Sequence, residues 1–364
     1  MGVWKLVRLK FGRCPAHFGE LGIGMEETSE RVRSDTLFSA WLSAYARLVD
    51  RPTIDELVKK FQSPEPPFCL TSTFIYQTLN GRVIDYLPRP LKHPPGFTTE
   101  DQLMLGKSLK KLDYLPLEVW QRWYQGKGFE ERDRQELQEG THAELSDSLT
   151  NLGLFNYENA FARHRVPKVA LDRVTRASNF YHTRFVQYHW QTNPNASNDI
   201  ESLSGLYFLV YFPQPDPTLE TTFFAVLDFL GGEGIGGERS SGAGQFKVDS
   251  NANEQALPPV WQEVVKDATR NHHCLMSLFW QQSLPPTLTD GASYNLQERG
   301  GWITSAASDG RQLRRKAVQM LTEGSVFCTL PEGQLADVTP PHFTDHKIYR
   351  SGISLSLPIN VREE

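Results

Sequence analysis

Gly231 to Phe246 reads GGEGIGGERSSGAGQF, seven glycines with one arginine and two serines, and runs into the β-like segment Gln245-Phe246-Lys247-Val248. Glycine lets the backbone take positive φ and removes every Cβ, so successive amide N–H groups can crowd against an anion such as phosphate. Four readings compete. Gly232, Gly234 and Gly237 match the dinucleotide pattern G-x-G-x-x-G, but that motif must open a helix so that a pyrophosphate sits on its N-terminus. Gly242 and Gly244 follow at once and disfavour a helix start. A P-loop is excluded, because the chain contains no G-x-x-x-x-G-K-[ST]. Two readings remain: a surface loop without a ligand, and the phosphate-facing loop of an RNA-binding ferredoxin-like domain in which Arg239, Ser240 and Ser241 add donors. The rest of the chain decides between them.

The 364 residues suffice for two domains, and 39% hydrophobic residues with 8 Trp and 21 Phe can fill their cores. A formal net charge of −5 argues against coating nucleic acid by bulk attraction, so RNA binding requires a local basic surface. Cys14, Cys69, Cys274 and Cys328 are scattered without a C-x-x-C pair, which suits a reducing compartment and speaks against a zinc ribbon. No apolar run has signal-peptide or membrane-span length. The chain reads as cytoplasmic, with no membrane partner.

Along the chain, Met1 to Phe11 predicts a strand. Ser34-Asp35 offers an N-cap to a helix whose apolar residues Leu37, Phe38, Trp41, Leu42, Tyr45, Leu48 and Val49 recur at helical spacing. A second helix is expected from Thr53, with Glu56 completing a capping box, ending before Pro64. Strand followed by amphipathic helix opens a βαββαβ unit. Tyr86 to Gly96 carries four prolines and predicts an irregular connector. Glu130 to Asp147 holds seven acids against two arginines and predicts a solvated, partly disordered insertion.

The sign of the charge then reverses. Arg163, Arg165, Lys168, Arg173, Arg176 and Arg184 face a single acid, Asp172, with Phe180, Tyr181, Phe185, Tyr188 and Trp190 among or beside them. A charge run alone is usually a solvated face. Cations beside flat rings, however, suit phosphates and unpaired bases, and an uncompensated cationic strip needs a polyanion or an acidic partner face. Leu203 to Phe212 predicts a strand and Thr221 to Leu230 a buried helix or strand. Further strands are expected at His273–Trp280, Ser293–Ile303, Ser325–Leu330 and Gly352–Ile359, with the basic segment Arg311, Arg314, Arg315, Lys316 between them. A second α+β domain is therefore expected from about residue 201.

Three stretches together resemble RAMP-superfamily proteins of type III CRISPR effector complexes: Cys14-Pro15-Ala16-His17-Phe18-Gly19-Glu20, Ser34-Asp35-Thr36-Leu37-Phe38-Ser39-Ala40, and Val166 to Arg176. With the loop Gly236 to Phe246 and the ending Asp345-His346-Lys347-Ile348-Tyr349-Arg350-Ser351-Gly352, the likeness is to the fourth subunit of the type III-A (Csm) complex. The resemblance implies an α+β fold of tandem ferredoxin-like (RRM-like) domains with loop and hairpin insertions. It divides the chain at 1–200, with insertions over about 86–190, and 201–364. It implies a non-catalytic subunit that anchors the repeat-derived, single-stranded 5′ tag of the crRNA, beside a large Palm-domain subunit and a backbone RAMP subunit. The RNA-facing residues so implied are His17, Ser34, Thr36, Arg163, Lys168, Arg173, Arg176, Gly236, Gly237, Arg239, Ser240, Ser241, Gly242 and Gly244. A type III-B subunit of the same role is the neighbouring alternative.

The rival class is a RAMP endoribonuclease that cleaves repeat RNA by acid–base chemistry, with His17 as its catalytic candidate. One histidine without a partner base or cation makes a poor catalytic set, and Asp35 reads as a helix cap. Adjacent His272-His273-Cys274 on a strand point to opposite faces, so no metal or other cofactor is assigned. A scaffold that meets RNA only through its neighbours is the third class.

Overall fold

The computed structural model describes residues 2–19, 27–139, 146–192, 200–249, 256–266, 270–303 and 313–362. Glu20 and Arg311, named above, and residues 140–145 of the acidic stretch lie outside them. The chain folds as a mixed α+β protein with antiparallel sheets.

The first strand, β1 (Val3–Lys10), is followed by α1 (Ser34–Tyr45), α2 (Arg51–Phe61), β2 (Cys69–Leu70), β3 (Phe74–Leu79) and β4 (Arg82–Pro88). Asn80 and Gly81, both at positive φ, make the two-residue turn between β3 and β4. Next come α3 (Thr99–Lys110), β5 (Tyr114–Pro116), α4 (Leu117–Gln125) and α5 (Glu131–Glu139). A long hairpin, β6 (Phe161–Leu171) and β7 (Ser178–Tyr188), and a short one, β8 (Trp190–Thr192) and β9 (Ile200–Ser202), precede β10 (Ser204–Phe212), α6 (Pro217–Glu233) and β11 (Lys247–Val248).

The large sheet has the order β11-β1-β10-β3-β4-β5, with β2 also on β10. Strand β10 is the central one because almost all of SGLYFLVYF is apolar and it is buried along its length. It pairs with β1 from Val3↔Phe212 to Leu9↔Leu206. Helices α1 and α6 pack together: Trp41 stacks on Phe223 with ring centroids 5.5 Å apart and donates from Nε1 to the Phe223 carbonyl at 3.0 Å. Because β10, α6 and β11 complete the sheet that β1 begins, the expected division at 200/201 cuts through one sheet.

Beyond this sheet lie α7 (Pro259–Val264), β12 (His272–Leu275), β13 (Leu296–Arg299), β14 (Trp302–Ile303), β15 (Leu313–Arg314), β16 (Val318–Leu321), β17 (Val326–Phe327), β18 (Leu335–Asp337), β19 (Tyr349–Ser351) and β20 (Ser356–Ile359). Strand β12 lies between β17 and β20, while β13 pairs with β16, β14 with β15 and β18 with β19. Cys274, Met276, Val326 and Leu357 join the same apolar core as Leu37, Phe74 and Trp261, so the C-terminal segment is continuous with the large sheet.

Several local expectations are corrected. The N-cap of α1 is Arg33, without a side-chain cap, because Asp35 is committed to arginines described below. Helix α2 starts earlier than Thr53, capped by Asp50, whose carboxylate accepts from Thr53 N at 3.2 Å. The acidic stretch contains α5, with Asp133 and Glu136 buried: Asp133 pairs with Arg122, and Glu136 accepts from Leu149 N at 2.6 Å. The proline-rich connector begins inside β4 and is tied to the C-terminal segment through Leu91 N to Gly324 O and Arg362 N to His93 O, both 2.9 Å.

Candidate nucleic-acid interface

The glycine-rich stretch divides into two parts. Gly231, Gly232 and Glu233 are the last turn of α6, which ends at Gly234 with φ 84°. The loop that follows is sewn to the segment after β1: Gly237 N donates to His17 O, and Gly244 N to Pro15 O, each at 2.8 Å. A Cβ on Gly236 would lie 2.3 Å from His17 O, and one on Gly237 would lie 2.7 Å from the His17 ring. Glycine is required here for contact with protein backbone. The N–H groups of Gly237, Gly242 and Gly244 are thus spent inside the fold, leaving exposed Arg239 and Ser240 as the outward part of the loop.

His17 is buried and donates from Nδ1 to Arg184 O at 2.8 Å, so it anchors the loop and the β6–β7 hairpin to each other. Lys168 on β6 pairs with Glu238 of the loop, and that pairing holds the Glu238 carboxyl below its usual range. The hairpin strip is partly compensated, contrary to expectation. Arg163 pairs with Glu30 at 3.0 Å and Glu158 at 3.7 Å, and Arg184 with Glu27 at 2.5 Å. Those glutamates come mostly from the segment before α1, far away in the chain. Arg173 and Arg176 sit in the exposed turn, Arg176 at φ 59°, with no ion pair to any described residue. Val174 is 91% exposed and Phe180 61%, so the hairpin presents apolar and aromatic groups beside these cations.

Ser34 does not face outward. It is buried, donating its N–H to Ser72 Oγ at 2.8 Å and accepting from Leu278 N at 2.9 Å through Oγ. Thr36, Gly236, Gly237 and Arg239 do come together, on the wall of a cleft of about 470 Å³ between α1, the end of α6, the glycine loop and the C-terminal segment. The cleft's main feature is arginines, most of which were not among the expected RNA-facing residues. Arg31, Arg33, Arg47, Arg299, Arg315 and Arg350 line it beside the expected Arg239, with Trp302 at its wall.

Three carboxylates organise five of these seven guanidiniums. Asp35 takes Arg299 at 2.9 Å and also Arg350, Glu323 takes Arg31 at 3.2 Å and Arg33 at 2.5 Å, and Glu233 takes Arg47. Burial pushes the Asp35 carboxyl up, yet Arg299 and Arg350 outweigh it and hold it at about 2. The same opposition holds Glu323 far below its usual range, with Arg31 and Arg33 as the cations. Burial and the neighbouring Arg350 both push the Arg315 guanidinium down. Four positive charges remain over the carboxylates, which is the electrostatics of an anion groove. Signals were present in Arg31-Val32-Arg33 directly before the Ser34-Asp35 motif and in Arg350 within the C-terminal motif. Nothing in the chain order said that they converge.

Residues 268–359 match the model of the CRISPR Csm4 C-terminal domain. The chain is 27% identical over 341 residues to the CRISPR system Cms protein Csm4 of Thermococcus onnurineus (strain NA1), covering 91% of this chain and 92% of that protein. It is 22% identical over 387 residues to the protein of the same name from Methanocaldococcus jannaschii, covering 96% and 95%. The chain is thus similar over more than nine-tenths of its length to Csm4 proteins, and its residues 268–359 match their C-terminal domain.

The fold agrees with this likeness. A crystal structure of a Csm3-Csm4 subcomplex of the type III-A interference complex superposes with TM-score 0.59 and 19% identity, covering 98% of this chain and 99% of that one. A Csm1-Csm4 cassette in complex with pppApA gives TM-score 0.53 and 17% identity, covering 99% of each chain. Among the described residues of this chain no cluster of three or more His, Cys, Asp or Glu could hold a metal ion, and no helix is long and apolar enough to cross a membrane.

Proposed function

We propose that this chain is a non-catalytic crRNA-binding subunit of a type III-A effector complex, anchoring the single-stranded, repeat-derived 5′ tag. The observation that carries the reading is the convergence of seven arginines on one cleft with three carboxylates among them. Phosphate contacts supply most of the affinity for an RNA backbone, and a cleft of this charge has no use for an apolar ligand. Arg173 and Arg176 extend the surface onto the hairpin, while His17, Lys168 and the glycines hold the hairpin and the loop in place.

In this reading β1, α1, β3, β10, α6 and β11 form a ferredoxin-like βαββαβ unit, supported by the strand order β11-β1-β10-β3. Residues 80–203 are its insertion, and the segment from 268 is a second, reduced unit built around β12. The anchoring role of His17, whose Nδ1 is committed to a backbone carbonyl, supports binding over cleavage. The partners are the large Palm-domain subunit and the backbone RAMP subunit, by likeness to the Csm1-Csm4 and Csm3-Csm4 assemblies. The test is retention of crRNA by complexes assembled with Arg47→Gln/Arg239→Gln. Loss of RNA supports the cleft as the binding surface, and undiminished loading refutes it.

A further inference from the structure

The sequence sets His272-His273-Cys274 on β12, and the fold brings Cys328 to it from the end of β17. In the antiparallel pairing His273 opposes Phe327 and Cys274 opposes Val326, so the next pair in register is His272 and Cys328, on one face at the end of the ladder. The Cys328 sulfur stands 3.5 Å from His272 Nε2. The other ring nitrogen, Nδ1, is 2.9 Å from Asn271 Oδ1. An amide oxygen only accepts, so Nδ1 carries the proton of the neutral imidazole and Nε2 offers its lone pair to the thiol. Cysteine, histidine and asparagine thus stand as a nucleophile, its base and the group that orients the base.

The surroundings favour a neutral base and an accessible sulfur. Partial burial, then Lys92 of the proline-rich connector and the adjacent His273, push the His272 imidazole down. It is therefore able to accept a proton at neutral pH, and the charge of Lys92 favours a thiolate beside it. Cys328 is the one exposed cysteine of the four. Cys69 and Cys274 are buried, and the half-buried Cys14 donates to Gly242 O at 3.0 Å. Burial pushes the Cys69 thiol up to about 12, and raises Cys14 and Cys274 as well. Gly291, at φ 64°, flanks Cys328: a Cβ there would stand 3.3 Å from the sulfur, so glycine keeps that side of the thiol clear. Neither His272 nor Cys328 lines the arginine cleft.

We propose that Cys328, with His272 as its base, is a thiolation site that takes a low-molecular-weight disulfide. His272 Nε2 accepts the S–H proton and the Cys328 sulfur attacks one sulfur of the reagent. The reagent's S–S bond breaks as a mixed disulfide forms on Cys328. The displaced thiolate then takes the proton from the imidazolium. The exchange needs no oxidant beyond the disulfide itself and returns His272 to its starting state.

The test incubates the full chain with glutathione disulfide and locates the mixed disulfide by peptide mass spectrometry. Cys328 is thiolated ahead of Cys14, and Cys328→Ser abolishes that phase. This comparison of two thiols within the parent stands even where a substitution unfolds the chain. His272→Gln slows the reaction about fivefold at neutral pH and matches the parent at about pH 9, where thiols ionise without a base. Asn271→Ala falls between them, and thermal midpoints recorded alongside separate lost chemistry from lost folding. A folded His272→Gln that reacts like the parent at both pH values overturns the pairing of thiol and base. Cys328 reacting no faster than Cys14 overturns the site.

Discussion

Arg299 reaches Asp35 across 264 positions of sequence, Nε to Oδ2 at 2.9 Å and Nη2 to Oδ1 at 3.0 Å, and clamps the C-terminal segment onto the first turn of α1. Arg350 joins the same carboxylate. The clamp closes one end of the cleft and fixes Arg299 and Arg350 at its wall. Asp35→Asn leaves two buried guanidiniums without their anion and is expected to cost about 3–5 kcal/mol, read as a fall in the denaturant midpoint. An unchanged midpoint would show that the clamp is dispensable.

The same carboxylate sets an acid dependence. Asp35 is held at about 2, below its ordinary 3.8, so its contribution is complete above about pH 4 and is lost as pH falls through 2. Glu323 shifts in the same direction. Stability of the parent should therefore drop steeply between about pH 4 and pH 2. In Asp35→Asn that acid limb is shallower, and identical limbs in urea melts across this range would disprove the linkage.

Two glycines of the loop should respond differently to substitution. Gly236→Ala places a Cβ against His17 O at 2.3 Å from a backbone at φ 96°, whereas Gly242→Ala, at φ 84°, meets nothing within 4 Å. Gly242→Ala is expected to cost about 1–2 kcal/mol of backbone strain, and Gly236→Ala clearly more, because the loop must also withdraw from His17. Equal melting temperatures would mean that the close approach has no energetic weight.

On the hairpin, Arg173 and Arg176 have no ion pair to any described residue, while Arg184 is paired with Glu27. Arg173→Ala/Arg176→Ala should weaken RNA binding and lower the salt slope by about 0.7 per lost phosphate contact. Arg184→Ala should change the slope less, its charge being partly neutralised within the protein. Filter binding over a salt series decides, and an unchanged slope for the double variant removes the hairpin turn from the RNA surface.

His17→Ala tests catalysis against anchoring. The Nδ1 bond to Arg184 O and the packing against Gly237 lead us to expect lower thermal stability and no change in RNA integrity, with or without magnesium. Cleavage of repeat RNA by the parent, abolished in His17→Ala, would overturn the non-catalytic reading.

Local physics was legible in the sequence. The apolar spacing of Leu37, Phe38 and Trp41 announced α1, the aromatic run of residues 204–212 announced β10, and the glycines at 236 and 237 marked a close approach. These properties depend on neighbours a few residues apart, and chain order preserves them. The object approached was not legible: the glycines meet His17, and Ser34, read as RNA-facing, meets Ser72 and Leu278.

The tertiary structure alone decided where β10 sits, which acids neutralise Arg163, Lys168 and Arg184, and that Arg31 and Arg350 border one cleft. Coulomb energy depends on separation in space, and a fold that returns Glu323 to Arg31 and Asp35 to Arg299 sets those separations through packing hundreds of residues apart. The motifs of this chain determined its likeness to the Csm4 proteins and the kinds of element it forms. The charge left over in the cleft was determined by the pairing of side chains that only folding brings together.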